Sequence, residues 1–162
     1  MICKERDFMT QYETLLHEGE NHKIQITEKD FKSDAKGLIK GNRIAIRKDI
    51  PTSIEKACVL AEELGHYYTS VGNILDQTNV MNRKQECIAR LWGYNRLIGL
   101  RGIIDAYENK CRDLHDMADY LEVTEEFLQE ALTTYRSKYG LYTKIDNYII
   151  YFEPNLGIIK II

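Results

Sequence analysis

Residues 57–61 read ACVLA, and a helix passing through them is apolar on every side. Such a helix cannot lie on a surface with one stripe turned inward; it has to run through the middle of the molecule and be covered all round. Its start is marked in the sequence. Pro51 and Thr52 precede it, and Thr52 with Glu55 makes a capping-box pair, so the pattern predicts a helix over about 53–70. Glu62, Glu63 and His66 follow the apolar stretch directly, where solvent is scarce. Buried carboxylates are costly unless they are paired or bound to a cation.

The remaining chain arranges itself around that helix as one domain over 1–162. Phe8, Tyr12, Leu15 and Leu16 form the stripe of a first helix over 4–17. HKIQI (22–26) and NRIAIR (42–47) alternate as half-buried strands do, and KGLIKGN between them reads as a turn. A second long helix is expected over 82–100, packing through Ile88, Leu91, Trp92 and Ile98. RDLHDMADYL (112–121) and a helix over 125–139, with Thr124 as N-cap and Gly140 as stop, make a helical hairpin over 112–140 that resembles a helix-turn-helix. Residues 141–162 read as a C-terminal β-hairpin, with two strands around a turn at 153–157. The fold class is therefore α+β, with a helical centre and small sheets at both ends.

Several function classes are excluded or disfavoured by composition. No apolar run approaches the roughly 20 residues of a membrane span, and MICKERDFMTQYETLL lacks the apolar centre of a signal peptide, so a cytoplasmic location is expected. Cys3, Cys58, Cys87 and Cys111 form no C-x-x-C pair and are expected as free thiols, with Cys58 and Cys87 in the core. A net charge of −3 argues against an extensive nucleic-acid surface. The second helix of the hairpin opens with Thr124, Glu125 and Glu126, and Glu122 just before them, which would repel phosphates; no direct DNA binding is expected. These acids suit the positive end of their own helix. No phosphate-binding glycine loop or nucleophile elbow is present.

Glu62 and His66 are four residues apart and share one helix face, from which they can hold a common ion. The segment E-E-L-G-H differs from the zinc motif H-E-x-x-H only in carrying Glu62 in place of the first histidine. A carboxylate oxygen binds zinc at about the same distance as an imidazole nitrogen. Glu63, about 100° further round the helix, is placed to act as a general base without being a ligand. Cys58 lies about 12 Å along the helix axis from His66, too far to share an ion, and reads as core. Glu86 is the best candidate for a third ligand. It shares a stripe with Ala89, Arg90 and Gly93, whose small members, with Gly65, let two helices approach closely. A plain surface ion pair between Glu86 and Arg90 fits the same spacing, and solvated surface acids at Glu62 and Glu63 are the corresponding bland reading of the motif.

IEKACVLAEELGHYYTS, NRKQECIARLWGYNRLI and DMADYLEVTEEFLQEALTTYRSKYG, in that order, resemble the ImmA/IrrE family of metallopeptidases, over roughly residues 36–140. The resemblance implies a zincin-like core and a cytoplasmic metal-dependent endopeptidase that cuts a partner helix-turn-helix repressor of a phage or mobile element. It puts Glu62, His66 and Glu86 in the places of the three metal ligands and Glu63 in that of the base. One divalent ion is implied, zinc first, with manganese or iron admitted by the oxygen-rich set. The second carboxylate should make the ion a poorer Lewis acid than in a His–His–Glu set. Tyr67, Tyr68 and His115 are candidate donors to the oxyanion. The competing reading is a non-catalytic anti-repressor that binds and sequesters the repressor.

Overall fold

The computed structural model describes residues 9–70 and 80–162. Thr10 opens the first helix, α1 (Gln11–Asn21), with a closed capping box: its hydroxyl accepts from the Glu13 amide at 3.2 Å, and the Glu13 carboxylate accepts from the Thr10 amide at 2.8 Å. The extended backbone at Thr10 places the start of α1 well after the 4–17 expected from its apolar stripe. Of that stripe, Tyr12 and Leu15 are buried, while Phe8 and Cys3 lie outside the described residues.

Strands β1 (Gln25–Lys29), β2 (Gly37–Lys40) and β3 (Arg43–Arg47) form a mixed sheet in the order β1-β3-β2, with β1 parallel and β2 antiparallel to β3. The segment read as a turn is therefore mostly strand. Only Gly41, at φ 60°, and Asn42 turn the chain back. Ile44 and Ile46 of β3 point into the core.

Against that face runs α2 (Ser53–Thr69), and all five residues of ACVLA are buried, as a helix apolar on every side requires. The Thr52 hydroxyl accepts from the Glu55 amide at 3.1 Å. Glu55 does not complete the box; its carboxylate takes Lys36 Nζ at 2.8 Å and ties the helix start to the residue before β2. Glu28 bridges three elements, accepting from Tyr12 at 3.0 Å and from Lys56 at 2.8 Å. The Lys56 ammonium holds the Glu28 carboxyl below its ordinary value.

The long second helix is two helices, α3 (Val80–Leu97) and α4 (Gly99–Glu108), parted at Ile98 and at Gly99, whose φ of 63° no ordinary helix accommodates. Of the packing residues expected, Ile98 is buried and Leu91 and Trp92 are half-buried against the core, but Ile88 is 52% exposed, and the fully inward positions of α3 are Ala89, Gly93, Tyr94 and Leu97. The cause is steric. A Cβ on Gly65 would stand 2.1 Å from the Ala89 carbonyl oxygen, and one on Gly93 would stand 3.1 Å from that of Ala61. The backbones of α2 and α3 touch there, and no bulky residue fits between them. Cys87, expected in the core, lies on the exposed side of α3, whereas Cys58 is buried in α2.

Helices α5 (Leu114–Leu121) and α6 (Glu125–Tyr139) form the expected hairpin, capped by Asp113, Thr124 and Gly140. The carboxyl end is a three-stranded antiparallel meander, β4 (Tyr142–Ile145), β5 (Tyr148–Tyr151) and β6 (Gly157–Lys160), not a two-stranded hairpin. β4 lacks an apolar face of its own; it is defined by its register with β5 and a tight turn at Asp146, φ 50°. Among the described residues no helix is long and apolar enough to cross a membrane.

Candidate metal centre

Glu62, Glu63 and His66 stand at half-buried positions of α2 on either side of the buried Leu64 and Gly65, and α3 crosses them at backbone contact through Gly65 and Ala89. That contact brings Glu86, one turn before Arg90 on α3, to the His66 ring: Glu86 Oε2 stands 3.5 Å from His66 Nε2. The other oxygen of Glu86, Oε1, accepts from Arg90 Nε at 2.9 Å. Both readings of Glu86 thus meet in one side chain, which pairs with Arg90 through one oxygen and faces the motif histidine with the other.

Burial sets the protonation states here. It lowers the His66 pKa, against the opposing pull of Glu86, so the imidazole is neutral and has a lone pair to give. It raises the Glu62 pKa, with Arg90 pulling the other way. At Glu63 burial, reinforced by the charges of Glu62 and Glu86, pushes the pKa up to about 7. A carboxyl at that value can both accept and return a proton near neutral pH.

Glu63 is seated against the edge strand of the N-terminal sheet. A Cβ on Gly37 would lie 2.6 Å from Glu63 Oε1 and 2.9 Å from Val59 Cγ1. Gly37→Ala is therefore expected to displace the Glu63 carboxylate and to slow any reaction that needs it by on the order of 10–100-fold. Bound metal, measured by elemental analysis, should be unchanged in that variant.

Glu62 stands near enough for the Glu86 charge to help raise its pKa. It lines a cleft of about 370 Å³ with Lys36, Cys58, Arg90, Phe127 and Glu130, and feels the Arg90 charge there. Among the described residues no three His, Cys, Asp or Glu side chains stand converged as a finished metal cage. The pair fits an ion nonetheless. Two donors bonded at about 2.1 Å to one tetrahedral ion stand roughly 3.4 Å apart, and His66 and Glu86 are at 3.5 Å. Nitrogen and carboxylate donors are what zinc and its neighbours take, and Glu62, one turn from His66 on the same helix, is the available third.

The candidate oxyanion donors lie in different settings. His115 sits on α5, exposed and 2.6 Å from Glu125, as a surface ion pair. Tyr68 packs among Tyr67, His22 and Trp92, and its buried hydroxyl has no hydrogen-bond partner among the described residues. Cys58 remains a core thiol, its pKa pushed by burial up to about 11. Sequence reasoning gave Arg90 only as a surface partner and passed over Gly37. The i, i+4 spacing from Glu86 was the available signal for the first; nothing local announces the second, because its neighbour Glu63 comes from another element.

Comparison with known families gives one match. A family model described as the IrrE N-terminal-like domain, of the M78 peptidases, matches residues 19–133, from the end of α1 into α6, and includes every site residue just described. No curated protein and no solved structure matches the chain significantly.

Proposed function

The chain belongs to the M78 peptidase family, that of the IrrE N-terminal-like domain, and from that premise we propose that it is a cytoplasmic metal-dependent endopeptidase that cleaves a partner helix-turn-helix repressor of a phage or mobile element. At the family level it is a peptidase domain of metallopeptidase type. The observation that carries the reading is the meeting of His66 and Glu86 at ligand-to-ligand distance beside Glu63, a carboxyl poised at about 7.

Glu62, His66 and Glu86 would hold the ion, zinc first, with manganese or iron compatible with two carboxylates. When bound, the ion supplies polarisation of the scissile carbonyl and a more acidic water. Glu63 takes the proton of the attacking water and hands it to the leaving amine, one group serving as base and then as acid. Gly37 leaves room for its carboxylate. The α5–α6 hairpin is the surface proposed to dock the repressor, with Glu122, Glu125 and Glu126 at the start of its second helix turning DNA away.

The test starts with metal content. Wild-type protein is expected to carry or take up near-stoichiometric zinc, manganese or iron, and His66→Ala and Glu86→Ala to lose it, as read by elemental mass spectrometry. Repressor cleavage that depends on that metal then follows. Glu62, His66 and Glu86 do not stand converged as a finished cage among the described residues, which favours one second reading, sequestration without cleavage. Protein that binds its repressor tightly but takes up no ion would establish it.

A further inference from the structure

Glu86 divides its two oxygens between two neighbours, and the division is specific. Oε2 faces His66 Nε2 at 3.5 Å, whereas Oε1 is held by Arg90 Nε at 2.9 Å. A free carboxylate on a helix rotates about its last bond and offers either oxygen to either side. A guanidinium bond to one oxygen removes that freedom. The bonding nitrogen of Arg90 is Nε, the one nearest the backbone, and the spacing is one helical turn, so the restraint is short and local. The Arg90 side chain is 47% exposed while the Glu86 side chain is only 23% exposed. An ion pair that open contributes little to folding, which leaves its effect on the orientation of Glu86 as the consequence that matters.

Resting on the metallopeptidase reading above, we propose that Arg90 is a positioning residue for the metal centre: by bonding Oε1 it fixes the Glu86 carboxylate with Oε2 directed at His66. The partners of metal ligands act in this way in general, and their loss costs about 10–100-fold in metal affinity. The arrangement also suits a site with Glu62 in it. Two ligand carboxylates repel each other, and Arg90, lining the same cleft as Glu62, lies where it can hold Glu86 in place against that repulsion.

The test is the zinc dissociation constant, measured by competition with a chromophoric chelator on the full chain. Arg90→Gln is expected to weaken zinc binding about 10–100-fold, and Arg90→Lys, which keeps the charge but not the short planar reach, to recover part of that loss. In chelator Arg90→Gln should melt close to wild type, since so open an ion pair contributes little to folding; a large loss of melting temperature there would mark general damage to the fold and overturn the proposal. Unchanged affinity in Arg90→Gln would also overturn it. So would tighter binding, because Arg90 would then be a competing cation that the ion must displace. Each of these results leaves the metallopeptidase reading standing. That reading falls, and the proposal with it, only if wild-type protein binds no ion or if His66→Ala binds zinc as tightly as wild type.

Discussion

Glu63→Gln is expected to lower repressor cleavage by about 10²–10⁴-fold, the range a positioned general base contributes, while leaving zinc content and repressor binding as in wild type. The substitution keeps the shape of the side chain against Gly37 and removes only its basicity. Cleavage at the wild-type rate by this variant would remove Glu63 from the reaction. The same change has an opposite effect on stability, measurable by thermal unfolding in the presence of chelator. Burial raises the Glu63 pKa from 4.5 to about 7 in the folded protein, so between those values the folded state binds more protons than the unfolded one. Stability contributed by this group therefore falls as pH rises through that window, and the full cost is present above about 7. It amounts to at most about 3 kcal/mol, and less to the extent that Glu62 and Glu86 share protons with it. Glu63→Gln should unfold at a higher temperature than wild type at pH 8 and at nearly the same temperature at pH 4.5. Equal pH slopes in the two proteins would mean that Glu63 is not buried as described.

The second large effect is structural. Gly65→Ala would put a methyl carbon 2.1 Å from the Ala89 carbonyl oxygen, well inside any tolerable contact, and the atom it meets is backbone. Neither side chain can turn away, so α2 and α3 must separate. Alanine returns up to about 1 kcal/mol of helix propensity, but overpacking of this kind costs about 1–3 kcal/mol and occasionally more. A net loss of about 2 kcal/mol or more would lower the melting temperature by roughly 4–8 °C for a chain of this size. Since His66 and Glu86 ride on the separating helices, zinc affinity should fall as well. Gly93→Ala is the matched control. Its methyl would meet the Ala61 carbonyl at 3.1 Å, a contact that a shift of a few tenths of an ångström relieves, and its melting temperature should stay close to wild type. If both variants melted alike, the close approach at Gly65 would not be what sets the helix spacing.

The parts of the molecule legible in the sequence are those whose causes are local or periodic. ACVLA announced a helix buried all round, Thr52, Thr124 and Gly140 announced helix ends, and Gly65, Ala89 and Gly93 announced a close approach of two helices. What escaped was decided between elements. Large apolar residues on α3 suggested its packing face, yet contact with α2 admits only small ones, so Ile88 points outward and Ala89 inward. β2 and β4 carry weak patterns of their own and exist through pairing with β3 and β5. At the site, the spacing of Glu62, Glu63 and His66 and the candidacy of Glu86 could be read directly. The side-chain turn that sets Glu62 in the cleft with Arg90, and the seat that Gly37 makes for Glu63, depend on tertiary neighbours that no local pattern encodes.

Contact between the backbones of α2 and α3 has a consequence for the choice of ion. Where two ligand-bearing helices are spaced by flexible side chains, the gap between donors can stretch to suit a larger ion. Here the spacing is set by a glycine Cα against a peptide carbonyl, and neither compresses nor extends without moving a whole helix. Donors about 3.5 Å apart match bonds of about 2.1 Å to a tetrahedral ion; calcium, which takes six to eight oxygens, is poorly served by a pair that includes an imidazole nitrogen. The frame thus sets the span of the donor pair, and the nitrogen of His66, rather than ionic size, is what would set transition ions apart from alkaline-earth ones there.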